Sequence, residues 1–380
     1  MNVSVLIPDG ESHLLMYVIN SLSQIKGVKV YVMSNDKYIP MRFSRHVHHF
    51  SYYPKTDNEK DWISYINEEI KRHNIDIVMP IFENGIEAVI KNKNEIVCNT
   101  LDLFPEYKNF EMAKNKWLLT NHLLSQDIPF PKSILFASSL PVEVENFRFP
   151  IIMKPIKGSG GGDGVCLFQN RDEFFNYLNH NTIAGEQIIQ EYVKGYDIGC
   201  SVLCKDGDIL AFTIQKATML NTNPFKPLLG VKFVYEEELQ RIIEKLMRSL
   251  NWSGVAHIDM KYDEEEKLFK ILEVNTRFWG SLEASLMAGV NFPHLYCKTL
   301  LKEPFDLPAY NHIEYLNLKG FAKSLGKRKS SLFDLRFISK NTPVLFAVKD
   351  PIPTIFKYSG MAKHLLLRRL KKQFKVLNYF

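Results

Sequence analysis

An α/β domain on a parallel sheet, followed by an α+β region, is the fold class that this 380-residue sequence predicts. Three observations carry the prediction. Through the first hundred residues, apolar runs of strand length alternate with apolar positions three and four apart, the βαβα rhythm of a doubly wound sheet. From Ile151 onward, strand patterns follow one another with few helices between them. The length itself suggests two to three domains and buries a core without a disulfide or metal staple.

The elements justify this in order. Val3 to Ile7 is an apolar run ending at Pro8-Asp9-Gly10, and Leu14, Leu15, Val18, Ile19 and Leu22 then mark one helix face. Val28 to Met33 reads as a second strand. Trp62, Ile63, Ile66 and Ile70 line a helix that closes on Lys71, Arg72 and His73, cations suited to the negative end of a helix dipole. Ile75 to Ile81 reads as a further buried strand. The first turn, DGES, lacks the GxGxxG of a dinucleotide site. Lys116 to Leu124 looks helical, and the prolines of Ile128-Pro129-Phe130-Pro131 then force extended backbone. Strand patterns follow at 151–153, 165–168, 188–192, 199–203 and 209–214, with helices near 171–178 and 236–250. In the last of these, Leu239, Ile242, Ile243, Leu246, Met247 and Leu250 form one stripe. Beyond about residue 305, Pro343, Pro351 and Pro353 suggest an irregular, partly helical extension.

Composition narrows the class. Apolar residues are 46% and charged residues 24%, which excludes wholesale disorder, collagen and coiled coil. Five cysteines with no CxxC pair, behind an N-terminus that reads as a strand and not a leader, predict a reduced, cytoplasmic protein. From Lys319 to Phe380 there are 15 Lys and Arg against two acids, a net +13 in a chain whose total is +6. A mildly acidic body thus carries a basic tail. Lys363, Arg368, Arg369, Lys371, Lys372 and Lys375 lie among Leu365, Leu366, Leu367 and Leu370. That pattern suits either peripheral contact with an anionic membrane, at the inner face, or a docked helix with solvated charges. Sequence-specific nucleic acid is not expected, since no basic face with interleaved aromatics runs through the body.

The strongest chemical signal is KPIKGSGGGDGV, 154–165. A strand delivers Lys154 into a loop with Gly158, Gly160, Gly161, Gly162 and Gly164. Such glycine density lets backbone N–H groups crowd onto phosphate, and a lysine at the strand end adds a point charge. No GK[ST] follows, so it is not a Walker A loop. The second signal is ILEVNTRFWGS, 271–281, where Glu273, Asn275 and Arg277 alternate onto one face of an extended segment. Glu and Asn oxygens are hard ligands suited to Mg²⁺ beside phosphates. Arg277 could hold a carboxylate or a transferring phosphoryl group. The acidic YDEEEKL reads as a hairpin turn returning Asp259 beside Glu273. In the third, QEYVKGYDIG (190–199), backbone groups could read an adenine edge and Asp197 ribose hydroxyls; an ordinary strand-turn-strand fits equally well. Eleven histidines show no HExxH or paired Cys/His spacing, which disfavours zinc. His46, His48 and His49 cluster in what reads as a solvated loop, and no GxSxG element occurs.

The order Lys116, KPIKGSGGGDGV, QEYVKGYD, Asp259, then Glu273, Asn275 and Arg277 resembles the ATP-grasp superfamily. The resemblance covers about residues 1–305 and is closest to the carbamoyl-phosphate synthase large subunit, biotin carboxylase and D-alanine ligases. It implies an N-terminal α/β domain over 1–110, a two-lobed ATP-grasp domain over 111–305 and a basic extension over 306–380. It implies ATP and Mg (or Mn) as cofactors, with Lys116 and Lys154 on the nucleotide and the glycine loop over the β- and γ-phosphates. Glu191 and Val193 would meet adenine, and Asp197 the ribose, where the family more often has Glu. Asp259, Glu273 and Asn275 would ligate the metal, with His257 competing with Asp259 as first ligand. Arg277 matches the arginine near the reacting carboxylate, and Lys216 would sit near the γ-phosphate. The implied activity is carboxylate–amine ligation through an acyl phosphate, releasing ADP and phosphate, with small-molecule carboxylate and amine substrates. The alternative is an ATP-binding regulatory or assembly module without turnover. Arg42 and Arg45, in MRFSR, are candidates for choosing the substrate.

Overall fold

The computed structural model describes residues 1–98, 100–137, 144–158, 162–326, 334–357 and 359. The expected basic amphipathic helix over 363–375 lies outside the described residues, as do Gly160 and Gly161.

The N-terminal α/β reading is observed. Its elements are β1 (Val3–Ile7), α1 (Leu15–Leu22), β2 (Val28–Ser34), β3 (Val47–Tyr52), α2 (Glu59–His73), β4 (Ile77–Val78) and α3 (Glu83–Lys91). The four strands form one parallel sheet in the order β3-β2-β1-β4. Each sheet face is covered because alternate residues of one strand point opposite ways. Val5 and Ile7 pack with α1 in one core, whereas Leu6, Tyr31 and Met33 pack with Ile63, Ile66 and Ile70 of α2 in another. Helix α2 ends at Asn74, in the left-handed conformation that closes helices. The expected strand over 75–81 shrinks to Ile77–Val78, because the chain leaves the ladder to bend around Asp9. The His48–His49 segment, read as a loop, is the edge strand β3; its mixed polarity reflects an edge that faces solvent.

Helices α4 (Tyr107–Lys114) and α5 (Lys116–Ser125) lead into an antiparallel sheet of β5 (Ser133–Phe136), β6 (Ile151–Pro155), β7 (Cys166–Phe168) and β8 (Gln187–Glu191), with α6 (Arg171–His180) on it. A second antiparallel sheet takes β9 (Gly195–Lys205), β10 (Asp208–Met219), β11 (Gly230–Val234), β12 (Gly254–Asp263) and β13 (Leu268–Asn275), with α7 (Glu237–Ser249) inserted before β12. Leu239, Ile243, Leu246 and Met247 of α7 bury against Val202, Phe212 and Ile214 of that sheet. Helices α8 (Leu282–Ala288) and α9 (Phe292–Leu300) follow. The extension is more regular than expected at its start: β14 (Glu314–Leu316) pairs with β11 and completes the order β13-β12-β9-β10-β11-β14. Helices α10 (Leu318–Leu325), α11 (Leu335–Asn341) and α12 (Val344–Lys349) come after it.

One core joins the parallel sheet to the large antiparallel one. Phe278, Trp279, Leu282 and Phe292 pack with Val5, Ile7, Val18 and Ile19. The segment after β13 is therefore pinned against the N-terminal sheet, and this sets where Arg277 points.

Candidate active site

The site begins with a hairpin. β12 and β13 are antiparallel neighbours whose register sets Asp259 opposite Glu273 and His257 opposite Asn275. The register slips by one residue between Asp259 and Met260, an irregularity of the kind that re-aims side chains beside functional sites. Asn275 Nδ2 donates to Asp259 Oδ2 at 2.7 Å, and His257 Nε2 lies 3.3 Å from Asp259 Oδ1. His257 is held from behind by Ser201 Oγ, 2.8 Å from its Nδ1, and its ring stacks on Trp279. Burial works to raise the Asp259 carboxyl, but His257, Asn275 and Glu273 together hold it below its ordinary value.

Two lysines reach this hairpin from other elements. Lys116 starts α5, whose N-cap Asn115 accepts from the backbone N–H of Trp117 and Leu118. That cap fixes the first turn and places Lys116 Nζ 3.3 Å from Glu273 Oε2. Lys154 comes from β6, is 9% exposed, and has no hydrogen-bond acceptor among the described residues. Burial lowers its ammonium to about 8; Glu273 and Asp259 oppose that shift and Lys116 adds to it. A buried, unbonded cation beside two carboxylates is poised for an anion.

The glycine loop enters from the same sheet. Gly162 (φ +73°) and Gly164 (φ +77°) occupy the left-handed region, and a Cβ on Gly162 would lie 2.2 Å from the Phe225 carbonyl oxygen. The loop thus lies against the segment between β10 and β11, where Lys226 pairs with Asp163. At the linker after β8, Glu191 N–H donates to Lys132 O, while its carboxylate accepts from the backbone N–H and Nε of Arg148. Val193 is buried. A cavity of about 370 Å³ borders 191–194, Arg148, and Asp263 and Lys270 at the turn end of the hairpin, but Lys116, Lys154, Asp259, Glu273 and Asn275 do not line it. Asp197 pairs with Lys261 Nζ at 3.3 Å, and Lys216 Nζ sits 3.2 Å from the Tyr196 ring centroid. Lys116, Lys154, Asp259, Glu273, Asn275 and Arg277 are brought into one cluster; Asp197 and Lys216 make their contacts with Lys261 and Tyr196 instead.

Arg277 ties this cluster to the N-terminal sheet. Its Nη2 donates to Asn275 Oδ1 and its Nη1 to Phe278 O, both at 2.9 Å. Its guanidinium lies over the Phe82 ring, and Nε, 3.7 Å from Glu83 Oε1, is buried without a hydrogen-bond partner among the described residues. Burial raises the Glu83 carboxyl, which Arg277 counteracts. Sequence reading missed Glu83 and Asp9, yet a topological signal existed. Both follow adjacent parallel strands, β1 and β4, at the point where strand order reverses, the usual crevice of an open α/β sheet. Asp9 accepts from the N–H groups of Ile81 and Phe82, and a Cβ on Gly85 would meet its carboxylate at 2.5 Å. Burial raises Asp9 to about 7. Arg42 stacks on Phe43 and Phe50, and the Arg45 backbone meets Asp350, so neither touches the cluster.

The donor set fits Mg²⁺ or Mn²⁺. Two carboxylates and an amide oxygen on paired strands are hard ligands, and the unbonded Lys154 ammonium beside them suits phosphate. His257 is a softer candidate whose ring is already committed to Ser201 and Trp279.

Residues 113–281 match the family model described as ATP-grasp domain. A D-aspartate ligase of Enterococcus faecium (strain Aus0004) is 23% identical over 317 residues, covering 76% of this chain and 75% of its own. A D-alanine–D-alanine ligase of Anaplasma marginale (strain Florida) is 27% identical over 197 residues, 47% of this chain and 58% of its own. Among solved structures, an N5-carboxyaminoimidazole synthetase from Staphylococcus aureus complexed with ADP has a TM-score of 0.68 at 16% identity, covering 88% of this chain and 86% of that one. An L-amino acid ligase from Bacillus licheniformis has a TM-score of 0.60 at 16% identity, covering 80% and 75%.

Proposed function

We propose that this chain, which carries an ATP-grasp domain over residues 113–281, is an ATP-dependent carbon–nitrogen ligase that takes ATP with Mg or Mn and joins a small-molecule carboxylate to an amine. The observation that carries the reading is Arg277, which bonds Asn275 in the metal-type cluster and faces Glu83 at the edge of the N-terminal crevice. A group that borders both is suited to the point where a phosphoryl group meets an acceptor.

In this reading Lys154 and Lys116 hold the ATP phosphates, with the glycine loop over them. Asp259, Glu273 and Asn275 hold the divalent cation, which neutralises phosphate charge when bound. The acceptor carboxylate lies in the crevice bounded by Asp9, Phe82 and Glu83, where the His13 ring meets Phe82 edge-on at 5.6 Å. Its oxygen attacks the γ-phosphorus, ADP leaves, and an acyl phosphate results. The amine then attacks the carbonyl carbon, phosphate leaves, and the amine loses a proton to give the amide. Arg277 stabilises the charge of the transferring group, and Lys216 supports the γ-phosphate. Glu191 and Val193 border adenine, and Asp197 the ribose. The units are 1–110, 111–305 and 306–380. The basic tail adds contact with anionic membrane, which liposome sedimentation at low and high salt reads.

Two relatives and one structural neighbour are named for ligation of aspartate, alanine or amino acids, so amino acids are the first substrates to try. The test is ADP release against pairs of amino acids and small carboxylates, followed by mass analysis of the product. Pair-dependent ADP release with a new amide is expected. Tight ATP binding with no pair-dependent ADP release would reassign the chain as a nucleotide-binding module.

A further inference from the structure

The histidines of β3, read from sequence as a solvated loop, face a second cluster outside the proposed active site. His49 of β3 meets Glu69 and His73 of α2, and one ligand atom from each lies within 4.8 Å of the other two. Glu69 and His73 are one turn apart on α2, so they share a face. His73 Nε2 is buried without a hydrogen-bond partner among the described residues and stands 3.7 Å from Glu69 Oε2. That gap is too long for a hydrogen bond. It is close to the roughly 3.4 Å that separates two ligands at ~2.1 Å from a tetrahedral ion.

Glu69 is held in place from behind. Its Oε1 accepts from Tyr53 Oη at 2.9 Å and from Arg72 Nη1 at 3.0 Å, whereas Oε2, among the described residues, accepts only from Ser51 Oγ, at 2.8 Å. The remaining lone pair of Oε2 faces His73. Outer-shell bonds of this kind orient carboxylate ligands. The strand contributes its own adjustment. β3 and β2 slip register between Val30–Val47 and Tyr31–His49, so His48 is an extra residue in the ladder. Both histidine rings consequently lie against Tyr31, at 5.2 Å for His48 and 6.5 Å for His49, and the His49 ring is 4.6 Å from that of His73. Bulges re-aim side chains in this way. His49 is exposed, leaving a coordination position open to water.

We propose that His49, Glu69 and His73 bind one late first-row divalent cation, of the Zn²⁺, Ni²⁺ or Cu²⁺ class. Two imidazoles and one carboxylate suit those ions and not Mg²⁺. This site is independent of the ligase reading and of its Mg²⁺ cluster. The expectation against zinc drawn from sequence rested on local spacing, and 24 residues separate His49 from His73.

The experiment uses the full chain stripped with a chelator and held in excess Mg²⁺ to occupy the hard-ligand cluster. It is titrated with Zn²⁺ against a chromogenic chelator, and with Co²⁺ while the visible absorption is read. One equivalent of Zn²⁺ and the intense band of four-coordinate Co²⁺ are expected. His49→Ala, at an exposed side chain, keeps the fold, as circular dichroism checks. It should lose the Co²⁺ band and weaken Zn²⁺ by more than the roughly 10- to 100-fold that outer-shell changes cost. His46→Ala should leave both unchanged. A wild-type chain that binds no Zn²⁺ in excess Mg²⁺, or a His49→Ala chain that binds it as tightly, would overturn the site and leave two imidazoles in tilted contact beside a structural carboxylate.

Discussion

Replacing Lys154 with methionine should change stability and nucleotide affinity in opposite directions. Lys154 is buried and its ammonium is lowered to about 8, with burial the main cause. Its folded value lies below its unfolded one, so the charged form destabilises the nucleotide-free fold below pH 8, and that cost fades as pH rises from 8 toward 10.5. The drop from 10.5 to about 8 corresponds to about 3 kcal/mol. Methionine has a similar length and no charge, so Lys154→Met should melt several degrees higher than wild type at pH 7 in the absence of nucleotide, with the gain shrinking by pH 10. It should also lose a charge-assisted phosphate contact of ~1.5–3 kcal/mol, weakening ATP by roughly 10- to 100-fold. A third signature concerns protons. Phosphate beside the ammonium restores its affinity for a proton, so at pH 8 wild type should take up about half a proton per ATP bound, and Lys154→Met none. Calorimetry in two buffers of different ionisation enthalpy reads this, and scanning calorimetry reads the melts. A destabilised Lys154→Met chain with wild-type ATP affinity and unchanged proton uptake would refute both the buried-cation argument and the phosphate role.

Three further outcomes are expected. Glu273→Gln keeps the hairpin and its size but removes one of two carboxylates, so turnover should collapse and the Mg²⁺ concentration for half-activity should rise; unchanged Mg²⁺ dependence would contradict the ligand role. Arg277→Met should bind ATP nearly normally and lose roughly 10²–10³-fold in substrate-dependent ADP formation, with little rescue by Arg277→Lys; lost ATP binding with intact turnover at saturating ATP would move the residue to the nucleotide pocket. Asp9 is raised to about 7 by burial, so the fold binds a proton that the unfolded chain releases above pH 4, and this contribution to stability falls as pH rises toward 7. Asp9→Asn should therefore raise the melting temperature at pH 8 and not at pH 4, and an equal effect at both would show that Asp9 does not carry that dependence.

What the sequence disclosed follows from how local each cause is. Helix α7 and the β12–β13 hairpin were legible because an apolar stripe and an acidic turn are written in a short stretch of sequence, and the hairpin alone dictates that Asp259 meets Glu273. The Lys116–Glu273 contact joins residues 157 positions apart, so no local pattern announces it; the resemblance assigned the two residues to nucleotide and metal, not to each other. Glu83 was invisible for a different reason. Its partner Arg277 is aimed by Phe278 and Trp279 packing into the N-terminal core, a tertiary effect with no local period. β3 was misread because an edge strand with one solvated side has the composition of a loop.

The ion pair between Lys116 and Glu273 has a consequence for the order in which the cleft fills. Before ligands arrive, the ammonium and the carboxylate quench each other, so neither is a free bait. On the ligase reading, a cation that claims Glu273 must evict Lys116, and a triphosphate that claims Lys116 must pull it off Glu273. Either newcomer alone strands one partner; together they exchange partners and strand neither. Nucleotide and metal ion should then strengthen each other's hold by the same factor, as reciprocity demands. The empty cleft would take free Mg²⁺ only when it is in excess and would answer far more readily to the Mg–ATP couple, as a single visitor.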